Sequence, residues 1–301
     1  MRHPLPSFFI AGAQKCGTTT LHGWLTAQSD ICLPKYKETH YFSDDEKYSK
    51  GLEYYLKQYK WNSSHQLIGE VDPSYLLFKD VPKRIKKYII SPKFIFIFRH
   101  PIERAHSHYI MSVQRGHEEL SFKEAICLEE KRLSEPNNIF SLNHHSYMKR
   151  GEYCQQVMRY QEVFPDSEYH YAKFDDFHDQ MMQKRMYHNI CQFLGITQPI
   201  GFDLLKIDSN PAGIPRSRIM RDLIHKEMNI KKRLKKIGFL YNWLVKLAVI
   251  ADQKNKIPMK NTNENWKSEI PEKFIRRSNE ESEKISKLTG LDTQNWIESI
   301  N

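Results

Sequence analysis

Gly12 and Gly17, with four residues between them, bracket Lys15 and lead into three consecutive threonines, Thr18, Thr19 and Thr20. A glycine-bounded turn of this spacing aims backbone N–H groups inward. A helix that starts at the second glycine adds the positive end of its dipole, and the combination holds a phosphate. The spacing is that of a nucleotide triphosphatase P-loop, but Thr18 occupies the usual lysine position and the lysine stands at Lys15. Hydroxyl and N–H donors of this kind suit a phosphate of modest charge better than a Mg-bound triphosphate. The alternative for this stretch alone is a tight strand-to-helix turn with a capped helix.

The elements that must position this turn are legible on either side. The apolar run Phe8 to Ala11 reads as a buried parallel strand, and the helix after the turn carries Leu21, Trp24 and Leu25 on its apolar side. The run Lys93 to Phe98 (KFIFIF) is nearly all apolar, hence a central strand covered on both faces, and it delivers Arg99, His100 and Pro101 to its C-terminal end. Further strands are expected at Gln66 to Val71 and Tyr169 to Phe174. Helices are expected near Lys47 to Tyr59, Pro82 to Ile90, Ile102 to Gly116, Phe122 to Arg132, His145 to Phe164 and Met181 to Leu194, the last closed by Gly195. Alternating strands and helices imply an α/β fold, P-loop-like and three-layered, with a central parallel sheet flanked by helices. Ligands sit at the carboxyl ends of such strands, so Arg99 and the Gly12 loop share an edge. The expected organisation is a single domain, with a core at about 6–218 and a helical C-terminal part at 219–301.

The chain has 301 residues, 40% hydrophobic and 12% aromatic, so it buries a full core without disulfides. Its net charge of +10 favours an anionic ligand: a nucleotide, an acidic glycan, nucleic acid or a membrane surface. Five scattered cysteines show neither CxxC pairs nor zinc spacing and read, for the most part, as reduced, buried thiols. No leader precedes the first strand and no run of roughly 18 apolar residues exists, so the chain reads as soluble and cytoplasmic, or as Golgi-lumenal if trimmed of an anchor. The basic segment 219–256 has an apolar core, Ile237 to Ala251, interrupted by Lys246. It is too short to span a bilayer and either makes peripheral membrane contact or, preferably, packs on the sheet.

Taken in order, AGAQKCGTTTLHGWL, KETHYF, EVDPSY, FIFIFRHPIERAHSHY, RGEY at Arg150 to Tyr153 and FLGI at Phe193 to Ile196 resemble the sulfotransferases that use 3′-phosphoadenosine 5′-phosphosulfate. The likeness is greatest to the heparan sulfate and bacterial carbohydrate branch and covers roughly Pro6 to Arg218. It implies a carbohydrate or glycoconjugate acceptor, no nucleic acid partner and no required metal. It sets Lys15, Cys16, Gly17, Thr18, Thr19 and Thr20 around the 5′-phosphate, where a lysine stabilises charge that grows on the leaving oxygen. It matches Arg99 and Ser107 to a 3′-phosphate pair, for which an arginine fork and a hydroxyl are suited; the alternative partners of Arg99 are Glu103 and Asp72. Arg216, Ser217 and Arg218 resemble a basic loop that closes over that phosphate.

Within KETHYF, Glu38 matches the base that deprotonates the acceptor in the glycan branch. His40 would project to the same side of an extended segment, where it could orient Glu38 or the acceptor, or be the base itself. One departure stands out. The heparan 3-O branch carries a lysine before the Pro-x-Tyr step, where EVDPSY has Val71 and Asp72, and Lys35, Lys37 and Lys79 are the candidate substitutes. The rival readings are a P-loop kinase, opposed by Thr18 and by the lack of a Mg-holding aspartate after a strand, and a basic nucleic-acid or membrane-binding module, for which no reader motif is present.

Overall fold

The computed structural model describes residues 4–205, 213–215, 256–258 and 266–298. They fall into two compact units, Met1–Arg104 with Arg150–Ser209 and Arg276–Asn301, and Ala105–Lys149 with Asn210–Ile275.

The first unit is built on a parallel sheet. Its strands are β1 (Phe8–Gly12), β2 (Ile31–Cys32), β3 (Leu67–Val71), β4 (Lys93–Phe98) and β5 (Tyr169–Lys173), in the spatial order β2-β3-β1-β4-β5. Every pair is parallel, with Phe8 opposite Gly69 and Lys93, and Phe94 opposite Tyr169. The α/β fold expected from the alternation of elements is therefore present. Side chains alternate across a strand, so Phe94, Phe96 and Phe98 share one face of β4, stacked 6.1 and 6.3 Å apart. Tyr169 stacks beside Phe94 at 5.7 Å and Tyr171 beside Phe96 at 6.2 Å. Tyr160, from helix α8 (Tyr153–Val163), covers this row edge-on at 5.0 and 5.3 Å. Each such ring contributes about 1.5–3 kcal/mol by leaving water, which fixes β4 at the centre and Arg99 at its rim.

Helix α1 (Thr18–Thr26) follows β1, α4 (Val81–Lys86) follows β3, α5 (Pro101–Arg115) follows β4 and α9 (Gln180–Leu194) follows β5, ending on Gly195 in the left-handed conformation. The last long helix, Glu272–Thr289, groups with the sheet from Arg276 on. There Glu281 accepts from the Cys154 N–H at 2.6 Å and the Trp296 indole donates to Asp175 at 2.8 Å.

Two expected helices are each broken. Lys47 to Tyr59 becomes α2 (Asp45–Ser49) and α3 (Gly51–Leu56), because Gly51 takes a φ of 80° that interrupts the first helix and starts the second. His145 to Phe164 becomes a short 3₁₀ turn, Lys149–Gly151, followed by α8. Helix α7 (Ile139–His144) was not anticipated. In the second unit α6 (Phe122–Ser134) starts on a capping box in which Ser121 and Glu124 satisfy each other's N–H groups. Buried Glu118 there takes Arg132 at 2.5 Å and the Tyr147 hydroxyl at 2.9 Å. The expected helix Met220 to Ile250 and its membrane-contact reading lie outside the described residues. Among those residues no helix is long and apolar enough to cross a membrane.

Candidate active site

The turn between β1 and α1 has the geometry of an anion cradle. Gly17 precedes α1 with φ 86° and no side chain caps the helix; the Thr20 N–H returns to the Gly17 carbonyl at 3.0 Å, so the Thr18 and Thr19 N–H groups are the ones left without intrahelical partners. A Cβ at Gly17 would sit 2.3 Å from the Phe177 ring, and one at Gly12 would sit 2.6 Å from Leu76; both positions require glycine. The loop is tied to the sheet by the Ala13 N–H, which donates to the Ile97 carbonyl at 2.8 Å. Buried Leu21, Trp24 and Leu25 anchor α1, with Trp24 against Phe177 and Tyr187. Lys15 is half-buried and Thr19 exposed, whereas Cys16 faces the core. Burial pushes the Cys16 thiol up to about 11 against the pull of Arg104, Arg99, the Tyr153 hydroxyl and Lys15, and its N–H closes the turn onto the Ala13 carbonyl.

Arg99 leaves the end of β4 at the same edge. Its guanidinium pairs with Glu103 at 3.2 Å and lies over the Phe174 ring at 4.4 Å, so of the two alternative partners Glu103 is the one found. His100 accepts from the Ile102 and Glu103 N–H groups at 3.1 and 3.4 Å. The start of α5 is thus capped where that of α1 is not. Ser107 lies half-buried two turns into α5 and is grouped with the second unit. Arg216, Ser217 and Arg218 lie outside the described residues.

The KETHYF segment meets the cradle. Lys37 Nζ donates to Thr19 Oγ1 at 3.2 Å and to Glu38 Oε1 at 3.0 Å, so Lys37 is the one of the three candidate lysines that the structure brings to the loop. The segment is not the extended strand that the side-chain alternation assumed, since Glu38 and His40 have φ of 66° and 55°. His40 meets Glu38 nevertheless, Nε2 to Oε2 at 3.7 Å, because Asp72 turns it: Asp72 Oδ2 accepts from the His40 N–H at 2.8 Å and lies 3.1 Å from Nδ1. Asp72, read from sequence only as a departure, is thus a site residue. Lys15, Glu38, His40 and Asn137 are the non-glycine residues with positive φ among those described. Three of the four are the residues the sequence singled out for chemistry, and such conformations cluster where surrounding structure imposes a functional geometry.

Burial works against a charged His40, but the hydrogen bond to Asp72 and the charges of Asp72 and Glu38 outweigh it and the opposing Lys47, and raise its pKa. His22, on α1, goes the other way: burial first, then the Lys37 charge, lowers it to about 4. Side-chain oxygen and nitrogen atoms of Glu38, His40 and Asp72 lie within 4.8 Å of one another. Each imidazole nitrogen already faces a carboxylate, an arrangement suited to handling a proton.

Beneath this loop sits Glu70, fully buried near the end of β3. The Thr39 hydroxyl donates to it, as do Tyr55 at 2.5 Å and Tyr75 at 3.0 Å. Thr39 lies between Glu38 and His40, so Glu70 holds the segment from below. The lone carboxylate in an apolar run was the sequence signal for it. Burial, then the Asp72 charge, pushes Glu70 from 4.5 up to about 7 despite the three donors. The folded chain therefore keeps a proton that the unfolded chain releases, and this group's contribution to stability falls as pH rises from about 4.5 to about 7. Glu70→Gln, which cannot titrate, is expected to remove that part of the decline in urea unfolding free energy between about pH 5 and about pH 7. Parallel wild-type and variant curves would show that Glu70 does not titrate there.

Comparison with known proteins adds the family. A family profile described as a sulfotransferase domain matches residues 5–290. Heparan sulfate glucosamine 3-O-sulfotransferase 5 of Mus musculus is 30% identical over 171 residues, 57% of this chain and 48% of that protein. The membrane-associated sulfotransferase kil1 of Dictyostelium discoideum is 34% identical over 113 residues, 36% of this chain and 24% of that one. The chain spans about half the length of the first of these. A sulfotransferase from Alicyclobacillus acidocaldarius superposes with a TM-score of 0.65 at 21% identity, covering 97% of this chain and 99% of that one, and so shares its fold. Because the profile runs through the glycine loop, the KETHYF segment and the Arg99 strand end, the chain belongs to the sulfotransferase domain family.

Proposed function

We propose that the chain moves a sulfuryl group from 3′-phosphoadenosine 5′-phosphosulfate to a hydroxyl or amine of a carbohydrate or glycoconjugate, with Glu38 as the base. The observation that carries this reading is the double contact of Lys37, which joins Thr19 of the cradle to Glu38. A base tied to the phosphate loop lies next to the group being transferred. The acceptor oxygen attacks sulfur in line, the bond from sulfur to the bridging phosphate oxygen breaks, the acceptor proton passes to Glu38, and 3′,5′-ADP leaves. Lys15 and Lys37 are the cations that would meet charge on the departing oxygen and on the sulfuryl oxygens, so the reaction calls for no metal. The 3′-phosphate would fall to Arg99, which would exchange Glu103 for it; Ser107, Arg216, Ser217 and Arg218 are the other residues that the family resemblance matches to that phosphate. Relatives named for heparan sulfate glucosamine support a glycan acceptor.

The test is ligand-dependent stability. 3′,5′-ADP at about a hundredfold over its Kd is expected to stabilise the chain by about 2.7 kcal/mol and raise Tm by several degrees. 5′-AMP, lacking the phosphate assigned to Arg99, should do much less. Stabilisation by ATP with Mg²⁺ but not by 3′,5′-ADP would favour the kinase reading instead.

A further inference from the structure

We propose that His40, held by Asp72, is the proton receiver behind Glu38: after each transfer its Nε2 takes the acceptor's proton from the Glu38 carboxyl. The inference rests on the sulfotransferase reading above. Asp72 is fully buried at the end of β3, and both of its oxygens are committed. Oδ1 accepts from the Ser74 N–H at 3.1 Å; Oδ2 accepts from the His40 N–H and faces Nδ1. A carboxylate fixed in this way requires the neutral imidazole to carry its proton on Nδ1, which leaves the lone pair on Nε2. Nε2 faces Glu38 Oε2, while Oε1 of the same carboxylate is held by Lys37. The two groups that must exchange a proton are 3.7 Å apart, so a sub-ångström approach brings them to hydrogen-bond distance.

The balance closes without a co-reactant. As the bond from acceptor oxygen to sulfur forms and the bond from sulfur to phosphate oxygen breaks, the acceptor proton moves to Glu38 Oε2. The resulting carboxylic acid gives it to His40 Nε2, and the imidazolium lies between the carboxylates of Asp72 and the regenerated Glu38. His40 is 38% exposed in its side chain, so solvent can then take the proton. The charged groups facing it are Asp72 from the turn after β3, Glu38 from its own loop and Lys47 from α2, of which the two carboxylates favour the imidazolium and the lysine opposes it. Glu38 is thereby returned to its ionised form.

The experiment pairs the NMR titration of His40, assigned by its disappearance in His40→Gln, with the pH dependence of kcat in wild type and Asp72→Asn. The expected result is a His40 midpoint above that of an ordinary histidine, an acidic limb of kcat at the same pH, and a joint shift of both to lower pH by about 1 to 3 units in Asp72→Asn. An unmoved His40 titration, or a kinetic limb that stays while the titration moves, would overturn the proposal. If Asp72→Asn does not fold, His40→Gln decides: the limb at the His40 midpoint must vanish, leaving at most the lower limb of Glu38 itself, and a limb retained at that midpoint refutes the relay. A chain that sulfates no acceptor yet shows the shifted titration fails on the reaction; one that sulfates with a limb indifferent to Asp72 fails on the relay.

Discussion

Lys15→Ala is expected to lower kcat by about 10²- to 10³-fold, the usual loss when one preorganised donor to a developing oxyanion is removed, while weakening 3′,5′-ADP far less. The reason lies in when the charge appears. In the bound donor the bridging oxygen is shared between phosphorus and sulfur and carries little charge; as the bond to sulfur breaks, that charge grows. A lysine beside it therefore stabilises the transition state more than the ground state, and only such differential binding raises kcat. Lys15 is set for this by its backbone. It takes φ 69° between two glycines that cannot bear a Cβ, so the loop would aim it by conformation, while the N–H groups at the start of α1 would hold the phosphate. Rapid-quench measurement of transfer in Lys15→Ala, with 3′,5′-ADP affinity from calorimetry, checks both halves. Near-normal turnover would remove Lys15 from the chemistry. An equal loss of affinity and rate would make it a ground-state contact.

Much of this site could be read from the chain because its parts are local. The glycine loop needs only neighbouring residues to define it: an apolar strand before, two glycines, threonines and an amphipathic helix after. The strand KFIFIF names its own burial, and Arg99 is at its end by simple counting. What could not be read is what distant segments do to one another. The side-chain alternation of an extended segment suggested that Glu38 and His40 share a side, and the backbone is not extended at either residue; they approach because Asp72, 32 residues on, binds His40 twice. Likewise Lys35, Lys37 and Lys79 were equivalent as letters, and only folding brings Lys37 to Thr19. Arg99 shows the reverse lesson. Its helical neighbour Glu103, four residues along, was foreseeable as a partner, and it is the partner found.

Glu38→Gln should leave the fold and 3′,5′-ADP affinity unchanged and lower kcat by about 10²- to 10⁴-fold, the range for loss of a general base. The substitution is nearly isosteric. A glutamine oxygen can still accept from Lys37, which donates to Glu38 at 3.0 Å, and the Thr39 hydroxyl remains bound to Glu70, so the loop keeps its supports. What is lost is the ability to take a proton. With no base beside it the acceptor hydroxyl attacks while still protonated, and the positive charge left on its oxygen is uncompensated in the transition state. The loss is therefore expected at every pH across the plateau, in contrast to His40→Gln, which alters the shape of the profile. That contrast separates direct from relayed proton transfer. If Glu38→Gln keeps near-normal turnover while His40→Ala abolishes it, the acceptor proton goes straight to the imidazole, and Glu38 serves only to hold Lys37 against the phosphate loop.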